Sequence, residues 1–108
     1  MEKKKVIYIA GPITGVDEYW KPFEAAEDEL TARGYVVLTP TRLPYNLPND
    51  KAMKICLAMI EQADAVYFLP GWHMSVGANL EMYYCKYVGK PFFTDTASLD
   101  SKTGGECK

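Results

Sequence analysis

Lys5-Val6-Ile7-Tyr8-Ile9-Ala10, stopped at once by Gly11-Pro12, is the stretch on which the fold turns. It is a near-continuous apolar run of β-branched and aromatic side chains, with no polar residue alternating into it after Lys5. Such a run describes a strand buried on both faces, the kind found in the middle of a parallel sheet. Before it, Lys3-Lys4-Lys5 is a solvated lead-in. After it, Asp17 to Arg33 sets Trp20, Phe23, Ala26, Glu27 and Leu30 at helical spacing, with Pro22 marking the first turn and Gly34 the stop. Glu24, Glu27, Asp28 and Glu29 form the wet side of that helix.

Tyr35-Val36-Val37-Leu38-Thr39 reads as a second strand, and Pro40, Pro44 and Pro48 as a stiff, extended connection. Asp50 is the expected N-cap of a helix to about Gln62, with Met53, Ile55, Cys56, Met59 and Ile60 as its apolar positions. Ala65-Val66-Tyr67-Phe68-Leu69 is a third strand ended by Pro70-Gly71. Ser75 caps a helix through Tyr87 that Gly89 closes, and Pro91 to Thr94 is a short fourth strand. Strands alternating with helices predict an α/β fold, a flavodoxin/Rossmann-like three-layer sandwich. Its sheet should be parallel, four- to five-stranded, in the order 2-1-3-4. One domain is expected over residues 1–95, followed by a loose polar tail over 96–108.

Composition agrees with this size and class. A chain of 108 residues, 48% apolar and 24% charged, can bury a core without disulfide staples or a structural metal. Twelve Lys and Arg against 14 Asp and Glu give a net charge of −2, which argues against binding a nucleic acid polymer through its backbone. Cys56, Cys85 and Cys107 with the single histidine His73 are too few and scattered for a disulfide framework or a zinc site. No apolar run has the length of a membrane span, and Val6 to Ala10 is too short for a signal h-region. A reduced, cytoplasmic protein is expected, with no metal and no organic cofactor.

In a sheet of order 2-1-3-4 the chain reverses direction between strands 1 and 3, and ligands sit beyond the carboxyl ends of the strands at that point. Two loops meet there, Gly11-Pro12-Ile13-Thr14-Gly15 and Pro70-Gly71-Trp72-His73-Met74-Ser75. The first has neither the dinucleotide fingerprint nor the phosphate-loop pattern, although Gly11 and Gly15 permit close approach of a ligand. The helix starting at Ser75 offers backbone N–H groups and a positive dipole end to an anion. Gly77 and Ala78 share a face with Glu81 and leave an open path to its carboxylate. One helical turn, about 5.4 Å, matches the span from a ribose 5′ substituent to its anomeric carbon. The plainer alternative makes Ser75 only a cap and Glu81 a solvated helix residue. Tyr8 lies on the same strand face as Val6 and Ala10. Its hydroxyl either reaches a catalytic carboxylate or is that of a core tyrosine. Trp72 either stacks on a base or lids the core, His73 is a surface loop residue, and Asp64, at the far end of the sheet, is structural.

Taken together, residues 7–15, 63–72 and 75–81 resemble the nucleoside 2-deoxyribosyltransferase superfamily, most closely a branch of small bacterial and phage proteins. The likeness runs from about residue 5 to residue 94. It implies a glycosyl-transfer site in which Glu81 is the nucleophile that attacks the anomeric carbon and Tyr8 holds it. In the transferases an aspartate stands where this chain has Ser75. The superfamily's nucleotide N-glycosidases carry serine there, facing a 5′-phosphate. Gly11, Thr14 and Gly15 would complete the phosphate cradle. The resemblance also implies a small nucleoside or nucleotide as substrate and a homo-oligomer as the assembly. One position departs from the pattern: the family often has an aspartate where this chain has Cys56, and a thiol does not do carboxylate work at neutral pH. Enzyme, nucleotide-binding module that has lost its chemistry, and scaffold acting through its surface are the three readings, in that order.

Overall fold

The computed structural model describes residues 4–95; the expected polar tail and Cys107 lie outside them. The elements run β1 (Val6–Ala10), α1 (Trp20–Ala32), β2 (Val36–Leu38), α2 (Asn49–Gln62), β3 (Ala65–Phe68), α3 (Val76–Val88) and β4 (Phe92–Phe93). Short 3₁₀ turns at Pro40–Arg42 and Trp72–Met74 sit in the β2–α2 and β3–α3 connections. The sheet has four strands in the order β2-β1-β3-β4, and every pairing is parallel.

The double burial expected of β1 follows from a helix layer on each side. Period-two alternation sends Ile7 and Ile9 to one face, where they pack with Ala65 and Tyr67 of β3 against Phe23, Ala26 and Leu30 of α1. Tyr8 and Ala10 go to the other face, with Val66 and Phe68, against Cys56 and Ile60 of α2 and Met82 and Cys85 of α3. All four residues Ile7 to Ala10 are completely buried. The start of the sheet is pinned by Asp64: its Oδ2 accepts from the Val6 N–H at 2.7 Å and its own N–H donates to the Val6 carbonyl at 2.7 Å. The structural role expected of Asp64 is therefore the observed one.

Element ends differ from expectation most at two helix starts, while β2 and β4 are each a residue shorter at both ends than expected. The first helix begins at Trp20, three residues after Asp17, because Asp17 to Tyr19 form a turn in which Glu18 takes a left-handed φ of 52°. Pro22 falls at the third helical position, still within the first turn, where its missing N–H has no intrahelical acceptor to lose. The second helix begins at Asn49 and is preceded by Pro48, so Asp50 is not the N-cap. The Pro48 carbonyl accepts from the N–H groups of both Lys51 and Ala52. Asp50 instead lies in the first turn, where its charge complements the helix dipole. Within α2, Ile55 is exposed, and Cys56 and Ile60 carry the burial. Among the described residues, no helix is long and apolar enough to cross a membrane.

Candidate active site

Beyond the carboxyl end of β1 lies a cleft of about 1120 Å³, walled by the β1–α1 loop, the Pro40 to Leu47 connection, α2 and the start of α3. The chain reverses direction here between β1 and β3, the place where ligands sit in open sheets of this order.

At the α3 wall, Ser75 is an extended N-cap whose Oγ accepts from the Ala78 N–H at 3.1 Å. A hydroxyl that accepts in a cap retains its own O–H for a ligand. Asn79 fixes the same corner by donating to the carbonyls of His73 and Ser75 at 2.9 and 2.8 Å. Gly77, Ala78 and Glu81 all line the cleft, as their shared helix face requires. A Cβ at 77 would meet Met53 Cε of α2 at 3.5 Å, an ordinary van der Waals contact, so the glycine keeps space in the cleft open and does not relieve a clash.

Glu81 is the feature that sets this wall apart. It is only 5% exposed, which is rare for a glutamate that has no cationic partner among the described residues. Its Oε2 accepts from the Tyr8 hydroxyl at 2.9 Å across 73 residues of sequence. Of the two alternatives for each residue, the structure gives a buried glutamate and a tyrosine that reaches it, while Ser75 is indeed a cap.

Cys56 completes the group. It lines the cleft from α2, packs in the same buried cluster as Tyr8, and lies close enough to Tyr8 and Glu81 to feel both electrostatically. Burial raises its thiol to about 11, with neighbouring Tyr8 opposing the rise and the Glu81 charge adding to it. At neutral pH it is a neutral S–H that can donate to the carboxylate. Burial likewise raises the Glu81 carboxyl to about 7, against the pull of hydrogen bonds from Tyr8 and Cys56. Tyr8 stays a phenol because burial, and then the neighbouring Glu81 charge, push its ionisation well above the ordinary value. The site thus holds one carboxyl that titrates near neutrality beside a phenol and a thiol that do not. Loss of the Tyr8 hydroxyl should raise the Glu81 pKa further. A hydrogen bond to a charged group is worth about 1.5–3 kcal/mol, so Tyr8→Phe should move it up by roughly 1–2 pH units. Carbon-13 NMR of a labelled Glu81 carboxyl reads this directly; an unchanged titration would deny Tyr8 its part.

The first loop contributes less than expected. Gly11 and Thr14 line the cleft, but the missing side chain of Gly11 answers first to packing, since a Cβ there would meet Leu69 Cδ1 at 2.8 Å. Gly15 is not among the lining residues; its φ of 76° explains the glycine, and the space around it is open. Trp72 does not line the cleft either. Its ring packs against Phe68 at 5.4 Å, the core-lid alternative. The aromatic surface in the cleft comes instead from Tyr19 and Tyr45, stacked at 5.3 Å with 26° between their planes. Asn49, Asp50 and Lys54 add polar groups from the first turns of α2. No periodicity marks Tyr19 or Tyr45, one in a turn before a helix and the other in a proline-rich connection. Only the tertiary fold brings them together.

An open, all-parallel α/β sheet with a buried, tyrosine-held glutamate at its switch point is the class of protein these features define. Residues 5–94 match the family described as a domain of unknown function, DUF4406, and the chain belongs to that family. The match spans β1 through β4 and every residue of the cleft. Among curated proteins, none matches the chain.

Proposed function

We propose that this protein breaks or transfers the N-glycosidic bond of a nucleoside or nucleoside 5′-monophosphate, with Glu81 as nucleophile. The observation that carries the reading is the Glu81 carboxylate itself, buried at the cleft floor, oriented by Tyr8 at 2.9 Å and one helical turn beyond the Ser75 cap. The resemblance to the nucleoside 2-deoxyribosyltransferase superfamily points to the same three residues.

In this reading a phosphate or 5′-hydroxyl takes the Ser75 O–H and the first-turn amides of α3. The anomeric carbon then lies over Glu81. A free carboxylate oxygen attacks that carbon as the C–N bond breaks, and the bonding pair leaves with the base, which takes a proton from solvent. Water next adds to the glycosyl ester and regenerates the carboxylate, so one water is consumed per sugar and base released. A second base in place of water gives transfer. Gly77 and Ala78 keep the path clear, and the Tyr19–Tyr45 stack offers a face to a planar base. Substrates of this kind are small and soluble, consistent with a cytoplasmic homo-oligomer that binds no nucleic acid polymer and needs no cofactor.

The test is chromatographic: free base is measured after incubation with a panel of nucleosides and their 5′-monophosphates. Release confined to the phosphorylated members, and lost in Ser75→Ala, would assign the phosphate to Ser75. No release from any member, at high protein concentration, would refute the enzymatic reading.

Cys56 favours a second reading, a binding module that has kept the pocket and lost efficient chemistry. A thiol held neutral to about pH 11 is a poor proton donor to a departing base. Cys56→Asp would set a second carboxyl beside Glu81. Two carboxyls in one buried site do not both ionise, so one becomes an acid at neutral pH. General acid catalysis contributes about 10²–10⁴-fold, and at least a tenfold gain in base release over the native chain is expected. Equal rates in the two proteins would show that leaving-group protonation does not limit this site.

A further inference from the structure

The outward side of α3 differs from that of the other helices. α1 presents Lys21, Glu24, Asp28 and Glu29 to solvent, and α2 presents Asp50, Lys51, Lys54 and Glu61. Of the six exposed positions on α3, only Lys86 is charged. The others are Val76 (88% exposed), Leu80 (49%), Tyr83 (76%), Tyr87 (91%) and Val88 (49%), with Met74 (80%) just before the helix. Val76, Leu80, Tyr83 and Tyr87 follow spacings of four, three and four, so they form one stripe along the helix.

We propose that two copies of this chain pair through this face of α3, about a two-fold axis and with the two helices antiparallel. Area is the first argument. A tyrosine buries about 150–250 Å², so Tyr83 and Tyr87 supply about 300 Å². Val76, Leu80 and Met74 bring the total to roughly 500 Å². A standard interface takes about 800 Å² from each partner, so the stripe supplies more than half of one and the adjoining groove with Leu57 and Tyr84 continues it.

Self-complementarity is the second argument. Beside the stripe runs a shallow groove of about 300 Å³, lined by Leu57, Leu80, Tyr83, Tyr84 and Tyr87. The face therefore offers an apolar hole and projecting aromatic rings together. A two-fold contact needs both on one surface, because each copy is knob to the other's hole. Antiparallel pairing also sets the positive start of each α3 near the negative end of its partner.

The surface is continuous with the site. Met74, Val76 and Leu80 belong both to the exposed face and to the wall of the cleft. A second copy on α3 therefore stands at the cleft mouth and narrows it, which an isolated chain does not do. The inference names the face used by the homo-oligomer in the proposed function, but it rests on the surface and not on the glycosidic chemistry.

Sedimentation equilibrium of the full chain at micromolar concentration tests it without any substrate. The native protein should sediment at twice its 12.2 kDa chain mass. Tyr83→Glu with Tyr87→Glu should weaken the dimer by more than about 100-fold and leave a monomer whose far-UV circular dichroism is native. Tyr87→Lys alone, at a side chain 91% exposed and so without a share in the monomer core, should weaken it in the same direction. A monomeric native chain would overturn the proposal, and so would a dimer indifferent to both variants. Base release, measured separately, judges the proposed function by itself.

Discussion

Glu81→Ala should abolish base release while leaving the fold intact. In the proposed reaction the carboxylate forms the covalent bond to the sugar, and nothing else in the group can replace it. Tyr8 is a phenol and Cys56 a thiol at every pH near neutrality. Loss of a nucleophile of this kind costs at least about 10³-fold in turnover. The measurement compares native and Glu81→Ala protein on the nucleotide panel, with circular dichroism as the check on folding. Undiminished release by the variant would remove Glu81 from the mechanism. The native rate should also depend on pH through this group. Only the ionised carboxylate attacks, so kcat/KM should fall as pH drops below about 7 and approach a tenfold loss per pH unit.

Glu81→Gln should stabilise the protein above pH 7 while inactivating it. Folding raises this carboxyl from its ordinary 4.5 to about 7. Between those values the folded chain holds a proton that the unfolded chain has released, so stability falls as pH rises across this interval. Above it the full cost of burying the charge is felt, about 3 kcal/mol. A glutamine carries no such cost and can still accept from Tyr8. At pH 8 its Tm should exceed that of the native chain by roughly 10 °C or more, and at pH 4 the two should converge. Equal melting at pH 8 would mean that the carboxylate is better solvated than its burial indicates. The site is thus held against the preference of the fold, the usual mark of a group kept for function.

The layered sheet was legible because its signals are local. The apolar run of β1, the Ser75 cap and the Gly89 stop each lie within a few residues, and a parallel sheet follows from the alternation of strands and helices, with 2-1-3-4 the order of a flavodoxin-like fold. Helix starts were less so. Nothing local announces that Glu18 adopts a left-handed backbone and delays α1 to Trp20, or that Pro48 replaces Asp50 at the head of α2. At the site, Tyr8, Ser75 and Glu81 could be placed from alternation and helix spacing. Cys56 was visible as an apolar position of α2 and as a missing carboxylate, but its place beside Tyr8 and Glu81 depends on how α2 rotates on the sheet. Trp72 had two reasonable roles and took the packing one. The Tyr19–Tyr45 stack joins two irregular segments, and no periodicity reaches across them.

Placing β1 at the sheet centre has a consequence during synthesis. Its partner β3 lies far along the chain, with Val6 and Asp64 58 residues apart. At about 5–20 residues per second, β1 waits roughly 3–12 s after leaving the ribosome before β3 can cover its second edge. Through that interval Val6 to Ala10 is an uncharged, strongly β-forming segment, the sort that nucleates aggregation. Lys4 and Lys5 on one side and Gly11-Pro12 on the other are the residues that would keep such a segment from pairing with a neighbouring nascent chain. The strand that carries Tyr8 into the site is thus also the one whose flanks must guard it until the rest of the sheet arrives.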